Sequence, residues 1–290
     1  MSAVTVVDGF RLPESLRWHD GGLWMSDMDG CAVFVVGDDG PHKVFDLPTQ
    51  PSGLGWDPEG RLLVVSQLDA RLLRVHGGAM TVVADLAPAM RAHGGDVRPN
   101  DMFVDADGTA YIGSASFQEV DGRLVADDSV PTPLVAVSPG GEVTLLRADL
   151  RCPNGIAPHP DGRGILVAET RADRLTTVLP GSTTPATVTG SLLCAAGPDG
   201  IAVDDDGGVW AAFPFAGVVQ KVDRTGRTVA ELDLRPRVPL DCALGGPDRR
   251  TLYVASVAEI DHLGSSRTGR VDAHALPLAA PLHARTTEEP

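Results

Sequence analysis

The chain has 290 residues, and its 39 acidic and 24 basic side chains give a net charge of −15. This charge repels phosphate backbones, so nucleic acid is not an expected partner. Hydrophobic residues make up 43% of the chain, yet no uncharged apolar run approaches the roughly 20 residues of a membrane span, so no membrane partner is expected. The 33 glycines and 23 prolines suit many tight turns between short strands.

The beginning of the chain shows neither the basic nor the apolar region of a secretion signal, which predicts a cytoplasmic protein. The cysteines Cys31, Cys152, Cys194 and Cys242 are widely separated, so we expect reduced thiols rather than a disulfide framework or a zinc knuckle. We expect a monomer or a weak homo-oligomer. The polar end of the chain, about the last 12 residues, is expected to be a flexible tail.

The first predicted strand, residues 4–7, precedes every repeated unit and has no partner next to it in the sequence. We expect it to pair with the last strand of the fold, near residues 270–274. Such pairing closes a ring of sheets and removes exposed strand edges.

A short phrase then recurs six times: a proline or leucine, a polar residue, and two or more small or apolar residues. An Asp/Gly turn and a second apolar strand follow most copies, as at residues 57–65, 105–113 and 204–211. The spacing of roughly 40 to 50 residues is that of a four-stranded propeller blade. The polar residues of the six phrases are Glu14, Ser52, Asn100, Asn154, Asp199 and Asp241.

These features predict an all-β protein, a single domain over residues 1–290 that forms a six-bladed β-propeller with a central channel. Because a repeat places equivalent positions on a ring, the six polar residues should lie at one level of the channel. The longest stretches without regular pattern, residues 87–97 and 114–132, are expected to be irregular loops. They could contribute to substrate selectivity or be tolerated surface insertions, and whether they form a lid is left open.

Five of the six ring residues carry carboxylate or amide oxygens, which are the ligands of hard divalent cations. One interpretation is an oxygen-ligated cation in the channel. The other is a wet, polar channel without an ion, and the residues alone leave both open. The histidines fall in turns and irregular stretches, so no Ser-His-Asp triad is indicated.

Motifs in a fixed order over nearly the whole chain resemble the regucalcin and gluconolactonase family, also called senescence marker proteins. The motifs are Pro13-Glu14-Ser15-Leu16-Arg17-Trp18, Arg98-Pro99-Asn100-Asp101, Pro153-Asn154-Gly155-Ile156, Pro198-Asp199-Gly200-Ile201 and Leu244-Gly245-Gly246-Pro247-Asp248. The resemblance implies a six-bladed propeller with one divalent cation in the channel.

The resemblance also implies roles for individual residues. Glu14, Asn154 and Asp199 would be the metal ligands, and Asp199 would also be the general base. Arg98 and Asn100 would contact the substrate. The ion would be calcium first, with magnesium, manganese or zinc as alternatives.

This sequence departs from the family pattern at Asp241, where relatives often have a small or uncharged residue. We assign Asp241 to substrate binding, although it could also add a ligand or orient water. The segment after the third repeat is also unusual, which leaves the sugar specificity open, and Glu119 within it is given no role.

The predicted function is metal-dependent hydrolysis of a small lactone to its hydroxy acid. One alternative is a non-enzymatic propeller that binds calcium or a small molecule. The other is a metal-dependent esterase or organophosphate hydrolase.

Overall fold

Each sequence repeat folds into one four-stranded antiparallel sheet, and six such sheets surround a central channel. The computed structural model describes residues 3–120, 123–127, 129–181, 187–191, 197–259 and 266–277, without the side chains of 123–124 and 187–191. The innermost strands of neighbouring sheets contact one another all the way round the ring. The predicted fold class, a six-bladed β-propeller, is therefore confirmed.

The strands are numbered in chain order after β1 (Ala3–Phe10). Blade 1 contains β2 (Pro13–His19), β3 (Gly22–Asp27), β4 (Ala32–Gly37) and β5 (Gly40–Asp46). Blade 2 contains β6 (Pro51–Trp56), β7 (Leu62–Ser66), β8 (Arg71–His76) and β9 (Ala79–Asp85). After the short helix α1 (Ala87–Arg91), blade 3 contains β10 (Asp96–Val104), β11 (Ala110–Val120), β12 (Arg123–Ala126), β13 (Thr132–Val137) and β14 (Val143–Leu150).

The second half of the ring repeats the same plan. Blade 4 contains β15 (Pro153–Pro158), β16 (Ile165–Glu169), β17 (Arg174–Val178) and β18 (Thr187–Ser191). Blade 5 contains β19 (Ile201–Val203), β20 (Val209–Phe213), β21 (Val218–Val222) and β22 (Thr228–Asp233). Blade 6 contains β23 (Val238–Gly245), β24 (Thr251–Val257) and β25 (Gly269–Ala275), with β1 as its outer strand.

The core lies between the blades rather than at the centre of the ring. A cluster of buried apolar side chains fills each of the six interfaces between neighbouring blades. The second strands β7, β16 and β20 are buried along their whole length because a neighbouring blade covers each face. Apolar burial therefore holds the blades together and leaves the channel to polar side chains.

Strand β1 closes the ring as predicted. It pairs antiparallel with β25, with Val4 opposite Ala273 and Asp8 opposite Arg270. Phe10 at its end is 6% exposed and meets the ring of Phe34 edge to face, with 5.0 Å between the ring centroids. The chain's beginning thus joins blade 6 to blade 1.

Replacing Phe10 by Ala is expected to lower the free energy of unfolding by about 3 to 5 kcal/mol, because the change leaves a cavity at the closure. The matched control is Val4→Ala on the same strand. Val4 is 65% exposed, so its truncation should cost less than about 0.5 kcal/mol. Denaturant unfolding of both variants tests this, and equal losses would show that closure does not depend on the buried end of β1.

The two stretches expected to be irregular loops are partly regular, and that expectation is wrong. Residues 87–97 contain α1 and the start of β10, and residues 114–132 contain the end of β11 and all of β12, which pair as an extra hairpin. Among the residues that the structure describes, no helix is long and apolar enough to span a membrane. The predicted tail and Cys194 lie outside the described residues.

Candidate active site in the central channel

The six repeat phrases bring their polar residues to the same end of the channel. In five blades a β-bulge interrupts the pairing of the innermost strand within the phrase. In blade 5 the phrase precedes β19, but the Asp199 amide still donates to the carbonyl of Ala212 at 2.9 Å. Because a bulge re-aims a side chain, the repeated bulges direct these positions toward the axis.

The glycines of two phrases are required by close approach between blades. A Cβ on Gly155 would lie 2.5 Å from the carbonyl oxygen of Asp199, and one on Gly200 would overlap the carboxylate of Asp241. The Gly155 amide donates to that same carbonyl oxygen at 3.2 Å. The Pro-Asn-Gly and Pro-Asp-Gly motifs thus set Asn154 beside Asp199 and Asp199 beside Asp241.

Three amide side chains form a continuous series of hydrogen bonds toward Asp199, which we call the amide chain (Gln67, Asn100 and Asn154). Gln67 donates to Asn100 at 3.2 Å, and Asn100 donates to Asn154 at 2.9 Å. Asn154 in turn donates to the carboxylate of Asp199. The structure therefore brings together three of the residues predicted from the sequence, and it adds Gln67, which was not predicted.

Two of the predicted ligands are acidic side chains whose pKa values are raised. Burial raises the pKa of Glu14 well above its usual range, and the charge of Asp199 raises it further. Burial likewise raises the pKa of Asp199, with the charge of Asp241 as the next cause. Against these causes, the positive charge of Arg171 lowers the pKa of Asp199. Two such groups close together favour either protonation or a bound cation.

Arg17 pairs with the other two carboxylates of the channel. Its guanidinium donates to Asp101 at 2.7 Å and to the carbonyl of Met102 at 2.7 Å, and it lies 3.7 Å from Asp241. We call Arg17, Asp101 and Asp241 the channel triad. Sequence reasoning did not assign Arg17 or Asp101 any role.

Asp241 is fixed by the backbone of its neighbours. Its two oxygens accept hydrogen bonds from the amides of Leu16 at 2.6 Å and Cys242 at 2.7 Å, and it is 1% exposed. Burial raises the pKa of Asp241 to about 7, although Arg17 and the two amides lower it. Its contact with a substrate stays a prediction.

The other ring position, Ser52, is filled by a small buried side chain. Its hydroxyl donates to the carbonyl of Asn100 at 2.8 Å, so it braces the neighbouring innermost strand.

Arg98 is held at the side of blade 3. Its Nε donates to both oxygens of Asp96, at 3.0 and 3.1 Å, and its guanidinium lies 5.0 Å from the centroid of the Phe117 ring. Arg98 is therefore paired with Asp96 in the structure. Contact of Arg98 with a substrate stays a prediction.

A cavity of about 370 Å³ lies beside the channel, between blades 2 and 3, at the end of the strands that carries the repeat phrases. We call it the mouth pocket, and its walls are residues 67–70, 87, 90–91 and 95–98. Gln67 belongs both to this wall and to the amide chain, so the pocket borders the channel. A separate apolar cavity of about 100 Å³ lies between blades 4 and 5, at the opposite end of the strands, and contains none of the predicted site residues.

The donor set of the channel fits a hard divalent cation. Within the described part of the chain, no three His, Cys, Asp or Glu side chains are grouped as a metal site. The predicted set instead combines the two carboxylates with the amide of Asn154, and oxygen donors of this kind suit calcium, magnesium or manganese better than zinc. Asn154 presents its nitrogen to Asp199, so a half-turn of the amide group would present the oxygen.

A model of the SMP-30/gluconolactonase/LRE-like region matches residues 12–258. The chain belongs to this family. The resemblance predicted from the sequence motifs is thereby confirmed.

Individual proteins and solved structures that are similar to this chain give the comparison more detail. Pentonolactonase XacC of Haloferax volcanii is 26% identical over 268 residues, which cover 88% of this chain and 85% of that protein. The calcium-binding protein regucalcin from Agrobacterium tumefaciens superposes with a TM-score of 0.75 at 21% identity, covering 96% of this chain and 97% of the other. A gluconolactonase from Xanthomonas campestris gives a TM-score of 0.73 at 20% identity, with 95% and 89% covered. At these identities the two structures show the shared fold alone.

Proposed function

We propose that this protein is a metal-dependent lactonase that opens a sugar lactone to its hydroxy acid. The observation that carries the proposal is the pair of half-buried carboxylates, Glu14 and Asp199, whose pKa values are raised, together with the amide of Asn154 that binds Asp199 in the channel. The named lactonase activity of the Haloferax volcanii relative supports the choice of substrate class.

Glu14, Asn154 and Asp199 would hold one divalent cation, with calcium the first choice. Such an ion supplies Lewis acidity, which polarises the lactone carbonyl and acidifies a bound water. The charges of the channel agree with this role, because the positive groups Arg17 and Arg171 are fewer than the four carboxylates around them.

Asp199 acts as the general base. Burial raises the pKa of its carboxyl, and a base with raised pKa binds the proton of an attacking water more strongly. The water oxygen bonds to the carbonyl carbon, the ring C–O bond breaks, and the proton held by Asp199 passes to the departing ring oxygen. The products are the carboxyl group and hydroxyl group of one hydroxy acid.

Asn100 and Arg98 orient the substrate. Asn100 is fixed by Gln67 on one side and Asn154 on the other, so its amide is held in place beside the predicted ligands. The planar guanidinium of Arg98 lies over the ring of Phe117 and pairs with Asp96, and its remaining N–H groups can donate hydrogen bonds to substrate hydroxyls.

Elemental analysis of the purified protein and lactone hydrolysis with a pH indicator test this function. We expect about one divalent cation per chain, loss of turnover on chelation and recovery when calcium, magnesium, manganese or zinc is restored. At 100 times its dissociation constant, the ion should also stabilise the fold by about 2.7 kcal/mol. Bound metal without turnover on five- or six-membered lactones would overturn the enzymatic proposal, and turnover of simple esters or organophosphates alone would move the activity to those substrates.

A further inference from the structure

Gln67 is the outer member of the amide chain, and the fold holds it in one position. Its backbone amide donates to the carbonyl of Gln50 at 2.9 Å, and its carbonyl accepts from the amide of Ala70 at 3.3 Å. The residue is 4% exposed, so its side-chain amide depends on neighbouring protein groups for hydrogen bonds. Its side-chain nitrogen donates to the side-chain oxygen of Asn100 at 3.2 Å.

The inner end of the amide chain is fixed by two acceptors. The side-chain nitrogen of Asn154 donates to the carboxylate of Asp199 and lies 3.3 Å from the hydroxyl oxygen of Thr170. The Thr170 hydroxyl donates its own proton to the carbonyl of Pro198 at 2.8 Å. An oxygen in place of the Asn154 nitrogen would face both acceptors, so without a cation the nitrogen belongs there.

The orientation of the Asn154 amide decides what is required of Gln67. Each amide offers one donor group and one acceptor group, so a chain of three amides has two consistent directions. In the structure the chain takes a donor from Gln67. When the oxygen of Asn154 faces a cation instead, the same chain requires an acceptor from Gln67.

We propose that Gln67 is a positioning residue that sets, through Asn100, the orientation of the Asn154 amide and thereby the affinity of the channel for its cation. This inference rests on the proposed function and deepens it, because it assigns control of the metal site to a residue outside the predicted ligands and outside the repeated phrases. Glutamine can donate or accept, so it permits both directions of the amide chain. A side chain that can do only one of the two favours one direction.

Two substitutions of similar length should therefore change the calcium affinity in opposite directions at pH 8. The ionised side chain of Gln67→Glu only accepts, so the affinity should rise about 10-fold, whereas Gln67→Lys only donates, so it should fall about 10-fold. Gln67→Met loses the hydrogen bond in both directions, so its affinity should stay within about 2-fold of the parent. Isothermal titration calorimetry of the metal-free protein with calcium measures these affinities without any lactone.

The charge that Glu or Lys brings to the channel needs its own control. Leu68 is the next residue in the turn and is 52% exposed, so Leu68→Glu and Leu68→Lys add the same charges without joining the amide chain. Their effects should be below about 3-fold and should shrink in about 0.5 M salt, which screens exposed charges. Asp205→Asn, whose side chain is 79% exposed at the far end of the strands, should bind calcium as the parent does.

Equal shifts at positions 67 and 68 would overturn the role of Gln67, because charge alone would then explain them. A loss of affinity in all three Gln67 variants would also overturn it, because it would indicate a purely structural role. Affinities that fall in the order Glu, Met, Lys, beyond the Leu68 values, would support the inference even if no lactone were hydrolysed. Lactone hydrolysis by variants of equal calcium affinity would leave the lactonase function standing and remove this role, and a parent that binds no calcium, magnesium or manganese would overturn both.

Discussion

Replacing Asp199 by Asn is expected to abolish lactone hydrolysis and, in the metal-free protein, to raise the temperature of unfolding. The loss of activity should be at least about 100-fold, because the variant removes the general base and a carboxylate ligand together. The gain in stability has a different cause. Burial and the charges of its neighbours raise the pKa of the Asp199 carboxyl, so its ionised form destabilises the folded state at pH 8, and the uncharged Asn removes that cost.

The sign of the pH dependence follows from the same shift. A carboxyl whose pKa is raised on folding binds its proton more tightly in the folded state, so stability increases as the pH falls through the folded-state pKa. The advantage of Asp199→Asn over the parent, measured by thermal unfolding in chelator, should therefore be largest at pH 8 and shrink toward pH 5. Asp205→Asn serves as the control and should show no difference at any pH. A less stable Asp199→Asn protein at pH 8, or a difference independent of pH, would contradict this account.

Replacing Arg17 by Met is expected to lower the free energy of unfolding by about 3 to 5 kcal/mol, because it leaves Asp101 and Asp241 buried without their partner. Both carboxylates are little exposed, at 12% and 2% of the side chain. Denaturant unfolding in chelator measures the loss. Adding Asp241→Asn to the variant should restore part of it, since one uncompensated charge is then removed.

The matched control for Arg17 is an arginine pair on the surface. Arg163 binds Asp161 at 3.0 Å, but its side chain is 81% exposed, so Arg163→Met should cost less than about 1 kcal/mol. If the two arginine variants lose the same stability, the channel triad is not a buried network in solution.

The fold could be predicted because each copy of a sequence repeat forms the same structural unit. Six copies of one phrase defined six innermost strands, and the apolar strand after most copies defined the second. The extra hairpin of β11 and β12 was missed because its residues depart from the repeat. The signal that could have found it is the Asp121-Gly122 dipeptide between two alternating segments, a pattern that favours a tight turn.

The candidate site could be predicted only where its residues belong to the repeat. Glu14, Asn154 and Asp199 occupy equivalent positions of the repeat, so the predicted ring of channel residues contained all three. Arg17 lies outside that pattern, and its partner Asp101 is 84 residues away in the chain. Such a contact depends on how the bulged strands face one another across the channel, which no periodicity in the sequence encodes.

The amide chain has no fixed polarity. Each amide group offers a donor and an acceptor at exchangeable positions, and in the structure the donors of Gln67, Asn100 and Asn154 all point toward Asp199. If the Asn154 oxygen turns to a cation, the Asn154 nitrogen faces Asn100, and Asn100 and Gln67 must reverse in turn to keep their bonds. Gln67 would then offer its nitrogen to the mouth pocket. The presence or absence of an ion in the channel would in this way change which hydrogen-bonding group Gln67 presents to the mouth pocket, a surface that the ion does not contact.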